Sequence, residues 1–181
     1  YSILSRYEIK NSIKNSKIYH DWNRESKTYK YFKPGGAFNS NDHDYLAWSY
    51  DDKGSEFYKI RIKNLAKGNN LKDYIENTDG NIVWSLNNEG FYYVKMDKNH
   101  RPSSLYFHFL GESQSEDIEI YKEKDSGYFL NIRETLSKKY LILTIHNHET
   151  SEIRVINQKQ LKKKLKLIAK RKKGIEYNIE H

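Results

Sequence analysis

The hydrophobic positions of this chain fall in short runs rich in β-branched and aromatic residues, and clusters of turn-forming residues break the runs at close intervals. Three of the runs align: Tyr45-Leu46-Ala47-Trp48-Ser49-Tyr50-Asp51, Phe91-Tyr92-Tyr93-Val94-Lys95-Met96-Asp97 and Tyr140-Leu141-Ile142-Leu143-Thr144-Ile145-His146. The run after each one repeats too, as Phe57-Tyr58-Lys59-Ile60-Arg61-Ile62, Ser104-Leu105-Tyr106-Phe107-His108-Phe109 and Glu152-Ile153-Arg154-Val155-Ile156. A third set lies at Leu71 to Ile75, Asp117 to Tyr121 and Leu165 to Ala169, while Ile82-Val83-Trp84 and Tyr128-Phe129-Leu130 open the second and third units. Such residues suit a pleated, half-buried surface. The pattern therefore predicts four short strands recurring at about 47 residues, the arithmetic of a β-propeller blade.

The breakers are Asp52-Lys53-Gly54, Asn77-Thr78-Asp79-Gly80, Asn87-Asn88-Glu89-Gly90 and Asp125-Ser126-Gly127. A β-sandwich or barrel also shows short strands with frequent turns. The ordered recurrence of the whole four-strand set favours the propeller, because a sandwich needs no equivalence among its hairpins. The expected fold is all-β, a partial β-propeller of four-stranded antiparallel blades, forming one domain over residues 1–181. Residues 1–32 are expected to supply three strands of a first blade, at 1 to 8, Lys17 to Trp22 and Thr28 to Phe32. Full blades follow at 33–76, 77–123 and 124–170, and Ile175 to Glu180 within 171–181 reads as the first strand of a further blade. No initiator Met stands at position 1, and the repeat is out of phase with both ends, as in a piece of a longer protein. Bare blade faces are costly to expose. The chain is expected either to pair its last strand with its first or to self-associate through open blade faces.

Composition refines this picture. With 181 residues and 21.7 kDa, there is room for one domain with a sizeable core. Apolar content is only 36% and mean hydropathy is −0.98, but 16 tyrosines supply large rings whose hydroxyls can reach solvent or a partner. The absence of cysteine excludes disulfides and thiolate metal sites. No run reaches the length of a membrane span, and neither a signal peptide nor a glycosylation sequon is visible. A cytoplasmic protein without membrane contact is expected. The formal charge is +8, and Lys159, Lys162, Lys163, Lys164, Lys166, Lys170, Arg171, Lys172 and Lys173 crowd one segment. That segment could contact nucleic acid. A Lys-decorated edge strand that resists aggregation accounts for it better, because no aromatic residue is interleaved for base stacking.

Searches for chemistry find little. Gly111-Glu112-Ser113-Gln114-Ser115 lacks the second glycine of a nucleophile elbow and precedes no helix pattern. Asp42-His43-Asp44 and His146-Asn147-His148-Glu149 bring imidazole near carboxylate, as metal ligands would be, but turn positions favour the same residues. Gly35-Gly36 is too short to cradle a phosphate and reads as a loop before a strand. The paired carboxylates Glu116 with Asp117 and Glu123 with Asp125 read as solvated charge. No catalytic, cofactor-binding or metal residue is assigned.

The run Asp51-Asp52-Lys53-Gly54-Ser55-Glu56-Phe57-Tyr58-Lys59-Ile60-Arg61-Ile62-Lys63-Asn64-Leu65-Ala66-Lys67-Gly68 resembles the propeller of the prolyl oligopeptidase family of serine peptidases, in its oligopeptidase B (protease II) branch. The resemblance continues through Val83-Trp84, Phe91-Tyr92-Tyr93, Arg101-Pro102, His108-Phe109-Leu110-Gly111, Glu116-Asp117 and Tyr121 to Asp125. It extends to Ser137-Lys138, Thr150-Ser151-Glu152, Gly174-Ile175-Glu176-Tyr177 and His181. Asn64, where the family more often has Asp, and Lys170, where a Pro usually precedes the Arg, depart from it. The resemblance implies a seven-bladed propeller capping an α/β-hydrolase domain that holds the Ser, Asp and His of the triad, none of which falls in this segment. It further implies a cytosolic endopeptidase cutting short peptides after Arg or Lys. This piece would be an inactive lid whose first strands, Ile82 to Ser85 and Tyr128 to Ile132, line a channel. Its partners would be the hydrolase domain and the passing peptides. A stand-alone interaction scaffold and a basic-patch nucleic-acid binder are the alternative readings.

Overall fold

In the computed structural model, residues 1–7, 16–159 and 164–181 are described. Glu8 of the expected first strand, and Lys162 and Lys163 of the basic run, lie outside them. Strands β1 (Ile3–Arg6) and β2 (Lys17–Asp21) pair antiparallel and lead into a short helix α1 (Trp22–Ser26), whose N-cap Asp21 accepts a hydrogen bond from the Asn23 amide. Thr28 to Phe32, expected as a strand, is instead a turn. The amides of Thr28 and Tyr29 bond back to the carbonyls of Glu25 and Ser26. The aromatic residues that looked strand-like serve a cluster: the Phe32 and Tyr29 rings pack on Tyr50, 5.6 and 5.1 Å between centroids.

Seven antiparallel strands follow in chain order: β3 (Lys33–Asn39), β4 (Tyr45–Asp51), β5 (Tyr58–Asn64), β6 (Asn70–Trp84), β7 (Gly90–Met96), β8 (Pro102–Phe109) and β9 (Ile118–Lys122). A separate four-stranded sheet holds β10 (Phe129–Glu134), β11 (Tyr140–His146), β12 (Ser151–Asn157) and β13 (Leu165–Ala169). The long β6 belongs to two blades. Its first half pairs with β5, Ile60 opposite Ile75, and its second half pairs with β7, Ile82 opposite Tyr93. The breaker Asn77 to Gly80 does not interrupt the strand; Asn77 and Gly80 take positive φ within it, and the register shifts there. Gly35-Gly36 likewise lies inside β3, at a bulge opposite β4, not in a loop before it. Gly36 N–H bonds the buried Ser49 hydroxyl at 2.8 Å, which satisfies a donor that the bulge takes out of the ladder.

The period-2 geometry of the second strand of each blade builds the core, because alternate residues face opposite neighbours. With the full blades counted in chain order (β3 to the first half of β6, the second half of β6 to β9, and β10 to β13), Phe91 and Tyr93 on β7 join Ala47, Ile60, Ile62 and Ile75 of the first blade, while Tyr92 and Val94 join Leu130, Leu141, Leu143 and Ile145 of the third. On β4, Leu46, Trp48 and Tyr50 pack on Trp22 and Phe32. These strands are thus buried on both faces, which explains why their sequences are nearly continuous apolar runs. The chain is a partial β-propeller, with blades stacked through apolar seams.

Residues 175–181 join no sheet, and β1 pairs only with β2, so no first-to-last strand pair closes the described chain. The final segment packs on β11 and β12 through Tyr177 and Ile179, against Ile142, Ile153 and Val155. No neighbouring strand offers it a ladder. Among the described residues no helix is long and apolar enough to cross a membrane.

Candidate functional site: the inner strands and the turns that hold them

One turn recurs between the first and second strands of each blade. Ser40, Ser85 and Thr135 each donate their amide to the carbonyl of Tyr45, Gly90 or Tyr140, at 2.9 Å in every case. Their hydroxyls accept from the amides of the same three residues, at 3.0, 3.3 and 3.1 Å. His43, Asn88 and Lys138, at the matching place in each turn, have positive φ. The turn between the second and third strands repeats as well. Asp51, Asp97 and Asn147 accept amides of the residues that follow: Lys53 and Gly54, Asn99 and Arg101, Glu149 and Thr150. Short polar side chains suit these positions because they bond the backbone two to four residues on.

The first set of turns meets near the innermost strands. Asn41 takes its amide to Asn88 Oδ1 (2.8 Å) and its side-chain Nδ2 to the Ser85 carbonyl (3.0 Å), and Lys138 Nζ donates to Asn41 Oδ1 (3.0 Å). Turns of three successive blades are therefore joined. Beneath them, β3, the second half of β6 and β10 enclose a groove of about 460 Å³, lined by Asn39, Ile82, Trp84, Ile132, Arg133 and Glu134, among others. Trp84 Nε1 donates to the Phe38 carbonyl at 2.9 Å, and Asn81 Nδ2 to the Ile132 carbonyl at 2.8 Å. The inner strands are thereby tied by side chains, without a shared ladder. Tyr128, expected in the channel wall, lies instead under the Arg171 guanidinium, 4.1 Å from ring centroid to Cζ.

The opposite ends of the blades carry ion pairs. Arg101 bonds Asp97 within the second blade and donates to the carbonyls of Asp125 and Tyr128 in the connection to the third. Arg171 reaches Glu152 and Glu123. Burial pushes both carboxyls up, but hydrogen bonds from Arg171 to Glu123, and from Arg154 and then Arg171 to Glu152, outweigh it and hold them below the usual range. A further cluster was missed in the sequence: His108 lies fully buried between Asp73 and Asp117. Its position among the aromatic residues of β8 was the available signal, but Asp73 stands on a different blade.

The residues singled out for chemistry serve local structure. Ser113 caps the 3₁₀ turn Gln114–Glu116 and bonds Ser115, with no imidazole among its partners. Asp42 holds the Ser40 hydroxyl and the Asp44 amide, and the 146–149 segment closes a turn through Asn147. Glu123 differs from its reading as solvated charge: it is buried and paired with Arg171. Asp117 differs likewise, bound by His108 and the Tyr93 hydroxyl. Among the described residues one hydroxyl–imidazole pair does form, Ser137 Oγ with His181 Nδ1 at 2.9 Å. Both residues are exposed, and the adjacent Glu180 carboxylate holds Arg133 and the Leu136 amide, not the ring. An activated nucleophile needs its base oriented by a third group, so this pair caps a turn. Lys164, Lys166, Lys170, Lys172 and Lys173 are exposed on and beside β13, an edge strand paired only with β12.

Comparison with known proteins adds a lineage to this geometry. The family model described as prolyl oligopeptidase, N-terminal beta-propeller domain, matches residues 1–181. Protease 2 of Moraxella lacunata is 32% identical over 144 residues, covering 78% of this chain and 21% of that protein. Dipeptidyl aminopeptidase BI of Pseudoxanthomonas mexicana is 29% identical over 152 residues, covering 83% and 21%. Among solved structures, oligopeptidase B from Leishmania major superposes with a TM-score of 0.94 at 22% identity, over 99% of this chain and 26% of that one. Oligopeptidase B from Trypanosoma brucei, in a closed form with covalently bound antipain, gives 0.86 at 27% identity, over 94% and 24%. The chain spans about a fifth of the length of the curated relatives it matches.

Proposed function

We propose that this chain, which belongs to the N-terminal β-propeller family of the prolyl oligopeptidases, screens substrate access in an oligopeptidase B-like serine peptidase whose catalytic groups lie outside it. The observation that carries this reading is the groove where the inner strands of successive blades converge, walled by Ile82, Trp84 and Ile132 and fringed by Asn39, Arg133 and Glu134. A wall held by part-buried side-chain bonds such as Trp84 to Phe38 and Asn81 to Ile132 keeps a fixed width. A passage of fixed width admits short or unfolded peptides and rejects folded proteins, and it limits bulk water at the chemistry beyond it. The partner of the propeller is then a catalytic α/β-hydrolase domain of the same protein. The substrates are short peptides cleaved after Arg or Lys, by analogy with the oligopeptidase B relatives.

The chain itself supplies no catalytic residue in this reading. Among the described residues its one serine–histidine pair lacks an orienting carboxylate, and the ring nitrogens of the buried His108 face carboxylates while those of the buried His20 have no hydrogen-bond partner. The test assays the full-length protein and residues 1–181 separately on an Arg or Lys ester and on peptides of increasing length. The full-length protein is expected to cleave the ester and short peptides and to spare folded proteins; the isolated chain is expected to cleave nothing. Ester cleavage by the isolated chain that a serine-directed inhibitor abolishes would overturn the reading.

A further inference from the structure

His108 on β8 presents each ring nitrogen to a carboxylate: Nδ1 lies 2.6 Å from Asp117 Oδ1, and Nε2 lies 3.0 Å from Asp73 Oδ1. The imidazole is fully buried, and the two carboxylate side chains are 1% exposed. Asp73 comes from the half of β6 that forms the outer strand of the first blade, whereas His108 and Asp117 belong to the second. Ionised carboxylates only accept hydrogen bonds. Two short contacts from one ring therefore require two protons among the three groups.

The other groups around the cluster do not neutralise it. Gly111 N–H donates to Asp73 Oδ1 at 2.7 Å from the loop after β8, and the Tyr93 hydroxyl on β7 donates to Asp117 Oδ2 at 2.7 Å. Gln114, from the 3₁₀ turn, stands 3.5 Å from that hydroxyl, and the Phe91 ring packs on the imidazole at 5.1 Å. Neither a lysine nor an arginine is among these partners. Asp73 Oδ2 is buried without a hydrogen-bond partner, so the imidazolium is the cation on which the Asp73 charge depends.

We propose that Asp73, His108 and Asp117 form a proton-held clasp across the seam between the first and second blades, and that the seam loosens when the clasp gives up its proton. On deprotonation one N–H proton passes to solvent. The neutral ring can then donate to only one carboxylate, and the other faces a nitrogen lone pair in a buried site, an arrangement that costs stability. Burial alone would push His108 down, but the hydrogen bonds and charges of Asp117 and Asp73 prevail and raise it to about 9. The clasp is therefore complete below the ordinary histidine range and fades as pH rises from there through about 9. This inference is independent of the peptidase reading.

Hydrogen exchange by mass spectrometry on the full-length protein, corrected for intrinsic pH dependence, tests it. Amides of residues 70–76 and 110–117 are expected to exchange at least about tenfold faster above pH 9 than near pH 6, the factor that one pKa unit is worth, while β11 amides keep their protection. His108→Gln is expected to show the fast rate at both pH values. Should that variant fail to fold, histidine-selective nitrogen NMR of the unaltered protein decides: both His108 ring nitrogens carry protons at neutral pH if the clasp exists. Seam protection that does not change with pH, or one bare ring nitrogen at neutral pH, overturns the proposal.

Discussion

Arg171 crosses the seam between the second and third blades, its Nη2 2.7 Å from Glu123 Oε2 and its Nε 3.2 Å from Glu152 Oε2, with its guanidinium stacked on Tyr128. The two carboxylate side chains are 5% and 6% exposed, so each is nearly buried charge: Glu123 pairs with Arg171, and Glu152 pairs with both Arg171 and Arg154, the latter at 2.8 Å. Removing one member of such a set costs more than the set contributes, because the partners stay buried and unpaired. Arg171→Ala is expected to destabilise the folded chain by about 2 to 4 kcal/mol, measured as a shift of the urea midpoint. Because Arg171 leads in holding the Glu123 carboxyl below its ordinary range, and acts after Arg154 in holding down Glu152, that stability is present above the normal glutamate pKa and is lost as pH falls through the depressed values. The difference between the unaltered chain and the variant should therefore shrink in acid.

His20 behaves in the opposite sense. It is fully buried against Trp22 and Trp48, and neither ring nitrogen has a hydrogen-bond partner. Burial, reinforced by the charge of Lys63, lowers it to about 4. A neutral buried histidine supports folding fully above its ordinary pKa, and that support erodes as pH falls from about 6.5 toward about 4. His20→Phe is expected to be neutral or stabilising near neutrality and to remove this acid sensitivity. Thermal melts of both proteins from pH 7 to 4 check it; parallel curves would refute it.

Ser49 links the bulge of β3 to the bend in β6, accepting from Gly36 N–H and donating to the Gly80 carbonyl at 2.7 Å. Ser49→Ala leaves both backbone groups unmet, at an expected cost of about 1 to 3 kcal/mol. Gly80→Ala should cost more, because φ is +86° there and a Cβ would meet the Tyr58 ring at 2.9 Å. Denaturant titration ranks the two, and equal stability of all three proteins would contradict this account.

Leu143 is fully buried between the second and third blades. Leu143→Ala is expected to cost about 2 to 5 kcal/mol, whereas Leu136→Ala, at a side chain 88% exposed, should change stability by less than about 0.5 kcal/mol. Urea unfolding followed by tryptophan fluorescence distinguishes them, and similar midpoints for the two variants would show that the seam is not tightly packed.

The elements legible in the sequence were those fixed by local chemistry. The runs at 45–51, 91–97 and 140–146 are buried on both faces, so their apolar character survives any detail of packing. The turn at Asn87 to Gly90 is set by its own side chains. Thr28 to Phe32 misled because aromatic residues suit strands and aromatic clusters alike, and only the presence of Tyr50 decides between them. The segment 175–181 has strand-like residues, but a strand exists only when a partner supplies the ladder.

By itself the sequence determined the blade period and the turn residues, which follow from repeated local patterns, and it carried the resemblance to the propeller family in collinear runs such as Asp51 to Gly68. The tertiary structure decided which charges are buried and shared. Asp73 and His108, or Glu123 and Arg171, stand far apart along the chain, and nothing in either neighbourhood names the other. Their pairing depends on how one blade is rotated against the next, and that rotation is set by the summed packing of whole apolar faces, which no short stretch of residues specifies.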